Sequence, residues 1–205
     1  MSLHRRTKRL SSFPGASVLA LTLLLTSAPA LGDAAAGMRA FNEGDYETAL
    51  ATWQPLADQG DANAQFGLGQ LYGNGFGVPM DDALAIKWYT LAMEQGHAEA
   101  AYRLGVMYQN GWGVEQSDAE MLRHFQLAAN GGFVEAQRSL ADMYANGFGV
   151  EQDSVQAYRW YLTAGKLGDV GCEISAEELA ANMPAQQVAE ATQLADTWIA
   201  SHRSP

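Results

Sequence analysis

Whatever chemistry this chain does must come from a few side chains that recur at one helical face. Phe66 and Gln70, then Tyr102, Arg103 and Val106, then Arg138 and Asp142 lie in three successive segments, each 36 residues on from the last. Aromatic rings and guanidinium groups on one face suit recognition. Rings fill a partner's apolar pockets, and a guanidinium forks two hydrogen bonds onto a carboxylate or a peptide terminus. No reaction centre accompanies them. The sequence has no S-x-x-K, G-x-S-x-G, H-E-x-x-H or phosphate-loop pattern. His97, His124 and His202 fall at unrelated repeat positions. The acid pairs stand where helices start, which capping explains, so a glycosidase-type carboxylate pair has no support. Cys172 is the single cysteine, so no intrachain disulfide and no thiolate cluster for a metal can form. It reads as a buried small residue, with an intermolecular bridge as the alternative. No catalytic, cofactor-binding or metal-binding residue is assigned.

The elements that position these side chains repeat. Residues 61–96, 97–132 and 133–168 follow without a gap, with LYGNGFGV, MYQNGWGV and MYANGFGV at their centres. A period of this length marks a stacked array, because one unit cannot bury its apolar face alone. In the first unit Ala64, Leu68, Leu71 and Tyr72 fall at helical spacing and predict one buried stripe. This first helix of each unit, helix A, is expected to stop at Asn74-Gly75, Asn110-Gly111 and Asn146-Gly147, since glycine takes the left-handed conformation at no steric cost. The loop aromatic (Phe76, Trp112, Phe148) and the valine after it are expected to pin the loop onto the helix pair. The second helix, helix B, should open at Asp81, Ser117 and Asp153, with Ser117 and Glu120 forming a capping box. Its buried residues should be Ala85, Trp88, Tyr89 and Ala92 and their equivalents.

The ends differ from the middle. Residues 34–60 read as an earlier helix pair with a tight turn at Glu43-Gly44-Asp45. After Gly168 the repeat is expected to fail. Ser175 to Glu178 then read as a capping box opening a short helix, and a longer helix from Pro184 to Ser201 should close the stack. Residues 169–205 are thus C-terminal capping helices.

Residues 1–30 read as a cleaved secretory signal: a basic start, a short apolar run from Val18 to Leu25, and Ala28-Pro29-Ala30 as the cleavage site. The apolar run is too short for a membrane span, which needs about 20 residues. Removing the segment takes four of the 12 Lys and Arg and none of the 23 acids, leaving eight against 23, a net charge of −15. That charge argues against nucleic acid and anionic membrane as partners. The mature chain is expected to be periplasmic or secreted.

Leu68-Gly69-Gln70-Leu71-Tyr72, Asn74-Gly75-Phe76-Gly77-Val78 and Trp88-Tyr89 give a pattern that resembles the Sel-1-like repeat family, a relative of the tetratricopeptide repeat. His124 departs from it by replacing the helix B tryptophan, and Ala141 by replacing the helix A glycine. The resemblance implies an all-α fold, a right-handed α-superhelix of stacked antiparallel helix pairs. It implies a non-catalytic scaffold or adaptor, often at or outside the bacterial inner membrane. Helix A would line the concave side, which makes Phe66, Gln70, Tyr102, Arg103, Val106, Arg138 and Asp142 the expected protein-binding residues. The core stripe hardly changes between units, whereas this stripe changes at almost every step. The expected partner is a protein or peptide held by a monomer, without cofactor. Some exported relatives suggest an alternative, a hydrolase acting on cell-wall or β-lactam substrates.

Overall fold

The computed structural model describes residues 33–202, so the expected signal segment lies outside the described residues. Ten helices and no strands make up this part. They are α1 (Ala34–Asn42), α2 (Tyr46–Asp58), α3 (Ala62–Asn74), α4 (Asp82–Glu94), α5 (Ala98–Asn110), α6 (Asp118–Asn130), α7 (Val134–Asn146), α8 (Ser154–Lys166), α9 (Val170–Ala180) and α10 (Ala185–His202). Consecutive helices from α1 to α9 pack pairwise, the all-α arrangement of stacked antiparallel pairs expected of the right-handed superhelix that the resemblance implies. None of the described helices is long and apolar enough to cross a membrane.

Local chemistry sets the helix ends. Asp61, Asp81 and Asp153 accept hydrogen bonds from backbone N–H groups of the first turns of α3, α4 and α8, satisfying donors a helix start leaves unpaired. Ser117 Oγ accepts from the Glu120 N–H at 3.3 Å. The capping box there is only half made, because the Glu120 carboxylate turns to Arg123 Nε at 2.8 Å. Helices α3, α5 and α7 end at Gly75, Gly111 and Gly147, with φ of 68°, 71° and 72°. The N–H groups of Phe76, Trp112 and Phe148 donate back to Leu71, Met107 and Met143, a Schellman-type closure.

Small residues on helix A let helix B approach. A Cβ on Gly69 would lie 2.5 Å from the Tyr89 ring, and one on Gly105 would lie 2.5 Å from the Phe125 ring. Only glycine fits these places. The second loop glycine does something the sequence does not announce. Gly77, Gly113 and Gly149 each press on the first helical residue of the preceding helix B: Tyr46, Asp82 and Asp118. Each glycine loop is therefore a dock between units as well as a turn within one. Phe76 lands on the preceding unit, stacking on Tyr46 with centroids 4.8 Å apart. Trp112 and Phe148 do not pin their loops as expected. They stay 53% and 66% exposed, and the later units have Asp82 and Asp118 where the first has the Tyr46 ring.

The family of helix pairs ends after Gly168 as expected, but one helix continues in register. α9 begins at Val170, five residues before the expected Ser175 start, with Asp169 as its cap accepting from Cys172 N–H at 3.0 Å. It is a further helix A in register, and buried Cys172 occupies the place of Ala64, Ala100 and Ala136. Burial, then the neighbouring Asp169, pushes the Cys172 thiol up to about 11. Helix α10 leaves the repeat pattern and lies along α8, burying Ala191, Ala195, Trp198 and Ile199.

His124 fills the tryptophan place in α6. It is buried, stacked on Tyr108 at 5.3 Å, with Arg123 Nη2 2.9 Å from Nε2 and Glu120 at 3.8 Å. Burial first, then the Arg123 charge, lowers its pKa to about 4, against a smaller opposing pull from Glu120. A histidine kept neutral by the fold contributes stability above its unfolded pKa of about 6.5 and loses it as pH falls towards 4. Urea unfolding between pH 7.5 and 4 is expected to show a loss of up to about 3 kcal/mol from this group. His124→Trp, which restores the residue of the flanking units, should flatten the profile in that window. An unchanged slope would remove His124 as its source.

Candidate protein-binding surface

One position of the variable helix A stripe is a junction. Position 66 and its equivalents 102 and 138 each meet the residue just before the next helix A. Phe66 stacks on His97 at 4.4 Å, Tyr102 packs on Phe133 at 5.1 Å, and the Arg138 guanidinium forks onto Asp169, with Nε–Oδ2 at 2.8 Å. Ring meets ring, ring meets ring, cation meets anion. The residues vary because each pair is matched across the joint, which is a packing reason and needs no ligand.

Two of the expected binding residues are already engaged within the fold. Phe66 is 3% exposed and packs on Tyr89 as well as His97, so it presents no ring to a partner. Arg138 is on the surface, but its guanidinium is engaged by Asp169, whose hydrogen bond raises the Arg138 pKa. Burial alone would raise the Asp169 carboxyl; the Cys172 backbone N–H and Arg138 outweigh it and hold the group low. Arg138 therefore already has a carboxylate partner within the fold.

The remaining residues differ in what they offer. Tyr102 is half-buried, stacked on Phe125 at 5.1 Å. Gln70 is half-buried, and its Oε1 has no hydrogen-bond partner among the described residues. Asp142 is exposed and accepts the Tyr161 hydroxyl at 2.5 Å. Burial, then that hydrogen bond, raises the Tyr161 pKa. Arg103 is exposed and held by Glu99 at 3.0 Å, one helical turn away. Val106 is half-buried and shares a recess with Arg103.

That recess lies where α3 and α5 meet the loop of the next unit. Asn74, Asp82, Tyr89, Arg103, Val106 and Trp112 line it. Of the expected residues it unites only Arg103 and Val106; Asp142 and Arg138 are not part of it. Asp82, Tyr89 and Trp112 belong to the wall although the sequence reading placed them in capping, core and loop. Tyr89 is 4% exposed, and burial raises its pKa, with Arg103 opposing and Glu99 adding. The signal for these residues was the glycine dock: Gly113 over Asp82 carries Trp112 to the rim. Among the described residues no three His, Cys, Asp or Glu gather as a metal site requires. The recess has charge, a hydroxyl and rings, which suits binding.

Two buried glutamines also escaped the sequence reading. Gln65 and Gln137 each donate at 3.2 Å to a carbonyl at the end of the preceding helix B, Ala57 and Ala129. They satisfy groups that a helix terminus leaves open and tie unit to unit.

Comparisons with known proteins agree with this architecture. A Sel1 repeat protein from Oxalobacter formigenes is similar in structure, with a TM-score of 0.58 and 36% sequence identity over 63% of this chain and 97% of that one. A second solved structure is c5321, a protective antigen of uropathogenic Escherichia coli strains displaying an SLR fold. It shows 25% identity and a TM-score of 0.48, and the match covers 82% of this chain but 46% of that one. No curated protein matches the chain. The Sel1 repeat family model matches residues 62–97, 98–133 and 134–169, more than half of the sequence, and the chain belongs to the Sel1 repeat family.

Proposed function

We propose that this chain is an exported, non-catalytic adaptor that holds a protein or peptide partner on the helix A face around Arg103. Sel1 repeat proteins are generally non-catalytic scaffolds for protein interaction, and that class fits the absence of enzyme motifs in the sequence. The observation that carries the reading is the recess joining Arg103 and Val106 to Tyr89 and Trp112. It combines a guanidinium, a hydroxyl and apolar walls, the mixture that concentrates binding energy in small interfaces. The protein acts as a periplasmic or secreted monomer, with neither nucleic acid nor membrane as its partner after signal removal. The basic, apolar, small-residue order of residues 1–30 supports export.

The test is affinity capture from periplasmic extract with wild type and Arg103→Glu. Arg103 is exposed and its pair with Glu99 is a surface one, worth about 1 kcal/mol at most, so the variant should fold. Capture of the partner is expected to fall at least tenfold. Equal recovery, with helicity unchanged by circular dichroism, excludes this face.

A further inference from the structure

We propose that the edge formed by the second and third glycine loops docks a basic segment of a partner protein, with lysine or arginine side chains lying against Trp112 and Phe148 and reaching the carboxylates near them. The two loops carry the same unsatisfied combination. Trp112 and Phe148 are more exposed than Phe76, and neither pairs with another ring among the described residues. Gly113 presses on Asp82 and Gly149 presses on Asp118, so each ring is the sequence neighbour of a glycine seated on an aspartate, and Trp112 and Asp82 line one recess. Glu115 and Glu151 follow two residues after the glycines. None of these four acids has a cation within salt-bridge distance among the described residues.

The first loop shows what happens when the lower residue is different. Tyr46 stands where the later units have Asp82 and Asp118, and Phe76 stacks flat on it. A ring over a ring closes the contact within the chain. A ring near a carboxylate leaves both open.

Among the described residues every Lys and Arg is already engaged within the chain. Arg39, Arg103, Arg123, Arg138 and Lys166 are ion-paired. Lys87 and Arg159 lie over Trp88 and Trp160 at 4.8 and 4.5 Å. Lysine and arginine are the side chains that answer both halves of the site, because the stem and head pack on a ring face while the charge meets the carboxylate. A third group points the same way. The Tyr89 hydroxyl has no hydrogen-bond partner among the described residues, although the side chain is almost wholly buried, and it borders the recess beside Asp82 and Trp112. Arg103 also borders it, but Glu99 neutralises that charge locally.

The edge shares Trp112 and Asp82 with the recess beside Arg103 but does not use the Arg103 charge, so a change at Arg103 separates the two readings. Arg103→Glu should abolish partner capture on the stripe, yet leave binding of a basic probe at the loops unchanged or stronger. The test uses fluorescence anisotropy with a labelled 12-residue peptide alternating Lys and Ala, its Glu–Ala counterpart, and spermine as competitor. The Lys–Ala peptide is expected to bind and the Glu–Ala peptide not. Trp112→Ala/Phe148→Ala removes no charge and should weaken binding at least tenfold, as should Asp82→Asn/Asp118→Asn. Glu173→Gln/Glu177→Gln on α9 removes the same charge elsewhere and should change it less than twofold. An equal loss from the α9 pair, or no loss from the aromatic pair, reduces the effect to net charge and overturns the proposal. Absence of peptide binding overturns it too, as does full displacement by equimolar spermine, which would assign the edge to free polyamines.

Discussion

Trp53→Ala is expected to lower stability by about 3–5 kcal/mol, the usual cost of emptying a large buried aromatic site. Trp53 is wholly buried at the joint between the first unit and α3. Gly37 and Gly67 both give up a side chain to it: a Cβ on either would come within 2.5 Å of the indole. Its Nε1–H donates to the Ala34 carbonyl at 3.0 Å, a bond that truncation leaves unmade. Native stabilities of roughly 5–15 kcal/mol leave little margin for that loss. Urea unfolding measures it through a fall in midpoint. A change under about 1 kcal/mol would mean that the joint collapses around the hole, and the placement of Trp53 as its keystone would be wrong.

The second large effect separates two jobs of glycine. Gly96 and Gly113 both have positive φ, 87° and 67°. At Gly96 an added Cβ meets nothing within 4 Å, whereas at Gly113 it meets the Asp82 Cβ at 2.6 Å and Ile86 Cδ1 at 3.1 Å. Gly96→Ala therefore costs only the left-handed conformation, about 1–2 kcal/mol. Gly113→Ala adds the overlap, and overpacking brings roughly 1–3 kcal/mol more. Paired unfolding curves are expected to show Gly113→Ala at about twice the loss of Gly96→Ala. Equal losses would reduce the glycine loop to a turn and remove the docking function argued for it.

Much of the fold was legible because one pattern is stated three times. The glycine loops, the helix B caps and the apolar stripes led directly to helices α3 to α8, and family resemblance supplied the handedness. The early start of α9 was hidden by composition. Val170, Cys172 and Ala176 hold the helix A places, but the glycine loop that made the other units recognisable is missing after them, and Ser175–Glu178 imitates a cap. The candidate site was less legible for a different reason. Helical spacing shows which residues share a face, but not what that face meets. Phe66, Tyr102 and Arg138 differ as a ligand-selecting surface would. Only the neighbours 31 residues on, His97, Phe133 and Asp169, reveal that each varies with its own partner. Arg103 and Val106 remained at an open recess because position 103 faces Tyr89 of the preceding helix B rather than the next cap.

That matched variation is the physical core of the account: units are joined by private pairs, and surfaces left unpaired are where partners act. A double-mutant cycle tests it by moving the ionic pair of one joint into another. Tyr102→Arg alone sets a guanidinium against Phe133, and Phe133→Asp alone sets a carboxylate against Tyr102, although it also supplies a missing helix cap. Together they rebuild the Arg138–Asp169 contact one unit earlier. Urea unfolding of wild type, both singles and the double is expected to give a favourable coupling of at least about 1 kcal/mol. Losses that add within about 0.3 kcal/mol would show that residues 102 and 133 do not meet across the joint, and would contradict the account.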